Sequence, residues 1–372
     1  MKVFYLPVLI LSLFSSCSKQ LINKETGNAD SKTTATVSSV ASTITATSAT
    51  YFDSLFTRYT AGQWTGGDVA YSHLLPDGRS MWLWGDSFVD TVYADRHRPY
   101  DAFIHNCIVL TSPQGLFTTL YNGTKKLPKP YFNGIDPYYY WPNCAFLAKG
   151  ETQVYTMLTQ VKATGDGGTF GFKVTGNAFG ITSLPGMKLQ KITVMPTNAK
   201  VDWASATYEE GDYVYIYGAE GTTTFPNTKY MHVMRTSRSR PFAKTEFYTG
   251  SGWSTDTAKS ARMLDGVSES YSVFKSGSKY YVLSQEGILL SSKIYLWDAA
   301  SPVGPFTNKR LLYTTPQTKG NIITYNATAH TEFTNASGDL LVGYCINSLN
   351  GKDIYTNADN YRPYFVWVHG WQ

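Results

Sequence analysis

The chain has 372 residues and a formal net charge of +5 without any block of Lys or Arg, so nucleic acid is not expected as a partner. Aromatic residues make up 15 % of it, including 28 Tyr and 9 Trp, a usage that suits both β-structure and sugar-binding surfaces. There is no Gly-x-Ser-x-Gly motif, phosphate loop or zinc pattern, which argues against hydrolysis by serine or zinc.

Lys2 gives a basic start, Val3 to Phe14 is a nearly unbroken apolar run, and Ser15 and Ser16 then precede Cys17. This is the layout of a secretory signal, too short for a membrane span. Small residues directly before a cysteine resemble the bacterial lipoprotein signal, with residues 1–16 removed and Cys17 lipidated. The plainer reading is an ordinary signal cut nearby. The expectation is an exported lipoprotein, held at the cell surface or periplasmic face by acyl chains on Cys17. Residues 17–50 become rich in Ser, Thr, Ala and Val after Ser31 and lack aromatics, so they read as a flexible tether. The folded domain is expected over 51–372. Three cysteines follow Cys17, namely Cys107, Cys144 and Cys345. None forms a metal pattern and the number is odd, so buried free thiols are expected.

From Asp68 onward one figure recurs. Asp68 to Leu75, a turn at Pro76-Asp77-Gly78, and Ser80 to Asp86 read as strand, turn, strand. The same hairpin returns around Gly150, Gly211, Gly277 and Gly338, at intervals of roughly 60 to 70 residues. The segments Thr111 to Phe117, Thr236 to Phe242 and Ala300 to Phe306 each follow a later strand of their copy. Each copy therefore holds about four strands, and five copies predict an all-β, five-bladed β-propeller with few helices. A β-sandwich with coincidentally spaced hairpins is the alternative. The last copy runs out of chain near Trp367, and Tyr51 to Thr60 is expected to supply its missing strand.

In a propeller the first strand of each blade lines the central channel. The start of that strand holds Asp68, Asn143, Asp202 and Glu269 in the first four copies, with Asn326 and His330 near it in the fifth. Packing alone would place apolar residues there. The turn at Gly78 suits a three-residue hairpin loop, whose register sets Asp68 directly opposite Asp86 with Cβ atoms about 5 Å apart. Two carboxylates so close cannot ionise independently, and one pKa should rise. A proton-holding acid beside an ionised partner suits glycosidic cleavage; a pair holding a cation or capping amides is the alternative. His330 reads equally as a satisfied histidine or as a ligand to water, an ion or a sugar hydroxyl. A structural cation beside it is the one ion the pattern allows, and no cofactor or catalytic metal is expected. Trp141, ending a run of aromatics, is a candidate for stacking on a sugar. Trp203, Asn106 and Arg362 are further candidates for substrate binding.

Gly66-Gly67-Asp68, Leu75 to Arg79 and Trp82-Leu83-Trp84-Gly85-Asp86 together resemble the opening blade of glycoside hydrolase family 183, which includes bacterial endo-D-arabinanases. Tyr325 to His330 and Asn360 to Pro363 are similar to that wider group as well. The resemblance spans Tyr51 to the C-terminus and is specific in the first blade. It implies catalytic aspartates at Asp68 and Asp86, supported by Asp202 and Glu269, acting on arabinofuranosyl linkages. In the related family 43, base, pKa modulator and acid lie on three blades, which would make them Asp68, Asp202 and Glu269. The expected partners are a polysaccharide and, through Cys17, a membrane, with the chain acting as a monomer. A glycan-binding propeller without catalysis and a protein-binding scaffold are the rival readings.

Overall fold

The computed structural model describes residues 43–372, apart from 61, 100–101, 166–170, 197–199, 223–227 and 289–290. The signal segment, Cys17 and most of the expected tether lie outside the described residues. Five antiparallel sheets follow one another along the chain, one per repeat. Sheet I comprises Tyr71–Leu74, Ser80–Trp84, Cys107–Thr111 and Phe117–Leu120. Sheet II comprises Tyr138–Leu147, Gln153–Ala163, Phe172–Ser183 and Lys188–Val194. Sheet III begins Asp202–Glu210, Tyr213–Gly221, Lys229–Ser237 and Thr245–Tyr248, with two short additions. Sheet IV comprises Tyr271–Ser276, Lys279–Gln285, Lys293–Ala299 and Thr307–Thr314. Sheet V comprises Ile322–Ala329, Leu340–Ser348, Pro363–His369 and, from the other end of the chain, Thr45–Ser48.

The turns form where the glycine spacing predicts. Gly78, Gly150, Gly211, Gly277 and Gly338 all have φ between +57° and +92°. A Cβ at any of them would meet nothing within 4 Å, so the left-handed backbone alone makes glycine the favoured residue. Between successive sheets the apolar residues gather into five cores. Trp82, Trp84 and Val109 of sheet I meet Leu341, Cys345 and Phe365 of sheet V. The other four cores join I to II, II to III, III to IV and IV to V. Each fully buried aromatic in them contributes on the order of 2–3 kcal/mol. First strands lie beside first strands, from sheet I to II, II to III, III to IV and IV to V. Ser72 of sheet I returns to the end of sheet V through a 2.6 Å hydrogen bond with His330. The contacts thus run from each sheet to the next and back to the first, the order a five-bladed propeller requires. Cys107, Cys144 and Cys345 are buried free thiols inside these cores.

The closing strand corrects the expected domain boundary. Thr45–Ser48, inside the stretch read as tether, pairs antiparallel with Val366 to His369. Residues Thr50–Leu55, where a strand was expected, form a short helix. The helix drops Phe52 into the core between sheets V and I, and Phe56 follows just beyond its end, 4.7 Å from Trp82 and 5.4 Å from Trp64 between ring centroids. A Thr-rich tetrapeptide has the β-propensity to cover an exposed sheet edge, and backbone hydrogen bonds suffice to hold it there.

Candidate active site

The hairpin register places Asp68 across from Asp86. Tyr71 pairs with Leu83 below them and Gly67 pairs with Ser87 above. Between those pairs the Asp68 N–H donates to the Asp86 carbonyl (3.3 Å) and the Gly85 N–H to the Asp68 carbonyl (3.0 Å). Just after Asp68 the strand is interrupted: Val69 and Ala70 have φ of 80° and 52°, a costly conformation for a β-branched residue. Three of the other four first strands are irregular near the same place, that of sheet IV being regular. Register shifts lie between Pro142 and Cys144, between Asp202 and Ala206, and between Tyr325 and Thr328. Such irregularities re-aim the side chains beside them. Polar residues that strict alternation would bury can thereby turn toward one end of the ring.

The environments of the two aspartates differ. Asp68 is half-buried, and its Oδ2 accepts the Tyr325 hydroxyl at 3.1 Å. Burial first, and then the negative charge of Asp86, raise its pKa to about 7, with the Tyr325 hydrogen bond pulling the other way. A Cβ on Gly85 would lie 2.5 Å from Asp68 Oδ1, so glycine here makes room for the carboxyl. Asp86 has donors instead of a desolvating wall. Its Oδ1 accepts Trp141 Nε1–H at 2.9 Å and lies 3.0 Å from His105 Nδ1, while Tyr361 donates to its backbone carbonyl at 3.1 Å. Among the described residues none donates to Asp86 Oδ2. The His105 ring is stacked on Tyr139 at 3.8 Å and 14°, and Trp141 meets Phe172 edge-on at 4.7 Å. Aromatic contacts therefore fix both donors.

Asp202 anchors a second group. It accepts Asn177 Nδ2–H at 2.5 Å and the Thr159 hydroxyl at 2.9 Å, and that hydroxyl in turn accepts Asn143 Nδ2–H at 2.8 Å. Burial raises the pKa of Asp202, the two donors oppose the rise, and the charge of Glu269 adds to it. Glu269 is itself 62 % exposed and ion-paired with Lys229 Nζ at 2.9 Å.

Four expected binding residues sit elsewhere. Trp203 is fully buried in the core between sheets II and III, beside Phe247. The irregularity after Asp202 explains why a neighbour of a polar site residue faces the core. His330 is fully buried, with Ser72 Oγ 2.6 Å from Nδ1 and Thr328 Oγ1 3.3 Å from Nε2, and burial lowers its pKa to about 3. It is the satisfied histidine of its two readings. Asn106 is fully buried and clamps the segment at Phe132 to the first strand of sheet II: it donates to the carbonyls of Phe132 and Tyr140 and accepts the Phe132 N–H. Arg362 is tied to Asp359 at 2.7 Å and stacked over Tyr364 at 4.0 Å. Among the described residues no three His, Cys, Asp or Glu side chains are placed to hold a metal ion.

His105, Tyr325 and Tyr361 join the site without having been singled out individually. His105 and Tyr361 directly precede the candidates Asn106 and Arg362, and Tyr325 precedes Asn326. In each case a sequence neighbour of the expected residue carries the contact.

Solved structures share this fold. A crystal structure of a candidate hydrolase from Bacteroides ovatus ATCC 8483 superposes with a TM-score of 0.71 at 21 % identity, covering 88 % of this chain and 91 % of that one. An exo-β-1,3-galactanase from Phanerochaete chrysosporium, solved with β-1,3-galactotriose, gives a TM-score of 0.50 at 7 % identity, over 83 % of this chain and 63 % of that one. No curated protein matches the chain. Residues 49–371 match the family described as "Domain of unknown function (DUF5005)", and the chain belongs to that family.

Proposed function

We propose that this protein is a glycoside hydrolase whose acid and base are Asp68 and Asp86. The observation that carries the reading is their direct opposition in unlike surroundings: Asp68 is held toward its protonated form, and Asp86 is fixed by two ring N–H groups. Asp68 gives its proton to the leaving glycosidic oxygen as the bond to the anomeric carbon breaks. Asp86, through its free Oδ2, attacks that carbon or activates a water. Cross-strand opposition, with Cβ atoms about 5 Å apart, favours the short carboxyl separation of retaining enzymes, about 5–5.5 Å. The likeness in fold to the galactanase supports a sugar substrate.

The resemblance of Gly66 to Asp86 to family 183 narrows the substrate to arabinofuranosyl linkages of a polysaccharide. The protein would act on it as a monomer held at a membrane by Cys17, and Trp141 would offer its ring to the sugar. A second reading assigns base, modulator and acid to Asp68, Asp202 and Glu269, as in family 43. It is favoured by the desolvated Asp202, which feels the Glu269 charge.

Glycan release by the purified protein from D-arabinan, L-arabinan, xylan and galactan tests both readings. Oligosaccharides from one glycan, lost in Asp68→Asn and in Asp86→Asn and kept in Glu269→Gln, are expected. Loss in Glu269→Gln with survival in Asp86→Asn selects the second reading. No release from any glycan by the native protein rejects the hydrolase.

A further inference from the structure

The strands that begin at the candidate site end at a cavity. Tyr71 to Leu74, Ala145, Ala206 to Glu209, Ser272 to Lys275, Ala329 and Glu332 line a volume of about 400 Å³, at the low end for small-molecule sites. These residues lie toward the C-terminal ends of the first strands of all five sheets, or just past them. Asp68, Asp202 and Glu269 lie at or before the N-terminal ends, and Asn143 lies ahead of Ala145 in its strand. The cavity and the aspartate pair therefore belong to opposite ends of the ring of strands.

Two features make it a built site. First, His73 Nε2 and Glu332 Oε1 are buried without a hydrogen-bond partner among the described residues. Glu209 Oε1, 3.8 Å from His73 Nε2, is too far to serve. Buried polar groups are normally paired, and both residues line the cavity. Second, the charges around it are already engaged. Glu209 is bound to Arg238 at 2.6 Å and accepts the Leu147 N–H at 2.9 Å. Lys275 is bound to Glu210 at 3.0 Å. Burial favours the neutral forms of both His73 and Glu332. What is left for a ligand is uncharged hydrogen-bonding capacity beside the rings of Tyr71 and Phe274. An anion would meet two carboxyl groups, and no cluster suited to a metal ion is present among the described residues.

We propose that this cavity binds a neutral polyol of monosaccharide size, its hydroxyls pairing with His73 Nε2 and Glu332 Oε1 and its apolar face lying against Tyr71 and Phe274. The site is independent of hydrolysis at Asp68 and stands whether or not the chain cleaves glycans.

Saturation-transfer NMR and thermal shift with D-arabinose, L-arabinose, D-xylose and D-galactose, added to the full chain, test it. At least one sugar should bind saturably, with Kd of about 1 mM or below. Asp68→Asn/Asp86→Asn should leave that Kd unchanged, and Glu332→Gln and His73→Gln should each weaken it about tenfold or more. The two single variants are read separately, so a folding failure in one leaves the other to decide. No saturable binding by any of the four sugars overturns the proposal. So does binding that is lost with the aspartate pair and retained in the His73 and Glu332 variants.

Discussion

Asp68 and Glu269 hold the same place in the repeat, just ahead of the first strands of sheets I and IV. Asp68 is folded back by Val69 and Ala70 at positive φ, faces a second aspartate, and is desolvated until its pKa approaches 7. Glu269 is mostly exposed and carries its own lysine. Repetition of the fold thus delivers an acidic side chain to one end of the ring, while the neighbours on the hairpin decide its chemistry. Sheet I has a partner strand that ends in Gly85-Asp86, one residue to make room and one to oppose. In sheet IV the register that pairs Tyr271 with Ser284 sets Glu286 across from Glu269, but Glu286 accepts the Ser291 hydroxyl at 2.6 Å and Glu269 is paired with Lys229 at 2.9 Å, so neither is left as a desolvated acid.

The sharpest way to break this comparison is to compare activities. Asp68→Asn and Asp86→Asn should each lower kcat by about 10²–10⁴-fold, whereas Glu269→Gln should cost less than about tenfold, the scale of an exposed ion pair. Equal losses in all three would make sheets I and IV partners. A step smaller, His105→Ala should lower kcat by about 10- to 100-fold with KM unchanged, the worth of one hydrogen bond to a charged group. A rise in KM alone would make His105 a substrate contact and leave Asp86 orientation to Trp141. Gly85→Ala should destabilise the protein by about 1–3 kcal/mol in denaturant titration, because its Cβ overlaps Asp68 Oδ1. An unchanged midpoint would mean that the carboxyl moves aside freely.

The last effect is on stability against pH. The folded chain keeps the Asp68 proton up to about pH 7, while the unfolded chain releases it near pH 3.8. Between those values the folded state binds more protons, so the contribution of this group is greatest in acid and falls as pH rises. The Tm advantage of Asp68→Asn over the native protein should therefore grow from about pH 4 to about pH 7 and then level off. A flat difference across that range would remove the contrast between the two sheets.

Much of this was legible from spacing. The five turn glycines carry their own conformational requirement, and the three-residue loop at Gly78 fixed which residues oppose each other down to Asp68 and Asp86. Burial at the site was less legible. Trp203, Asn106, Arg362 and His330 all lie within one or a few residues of groups that face the site, and a register irregularity or a loop turns them into the core or into other loops. Pattern alone does not say on which side of a bulge a side chain emerges. Thr45 to Ser48 escaped for another reason. Four small residues bury almost nothing themselves, and their place depends on an unfilled sheet edge more than 300 residues away in sequence.

That seam also imposes an order in time. Chains are made from the N-terminus, so Thr45 to Ser48 leave the ribosome long before the strand they pair with, Pro363–His369. Throughout synthesis sheet V lacks its third strand, and Phe52 and Phe56 lack the Phe365 ring they meet at 5.6 Å. The ring can therefore close only once Pro363–His369 have been made. A chain stopped before Pro363 would keep an open edge and leave Phe52 and Phe56 without the Phe365 ring, features by which quality control distinguishes unfinished protein from finished.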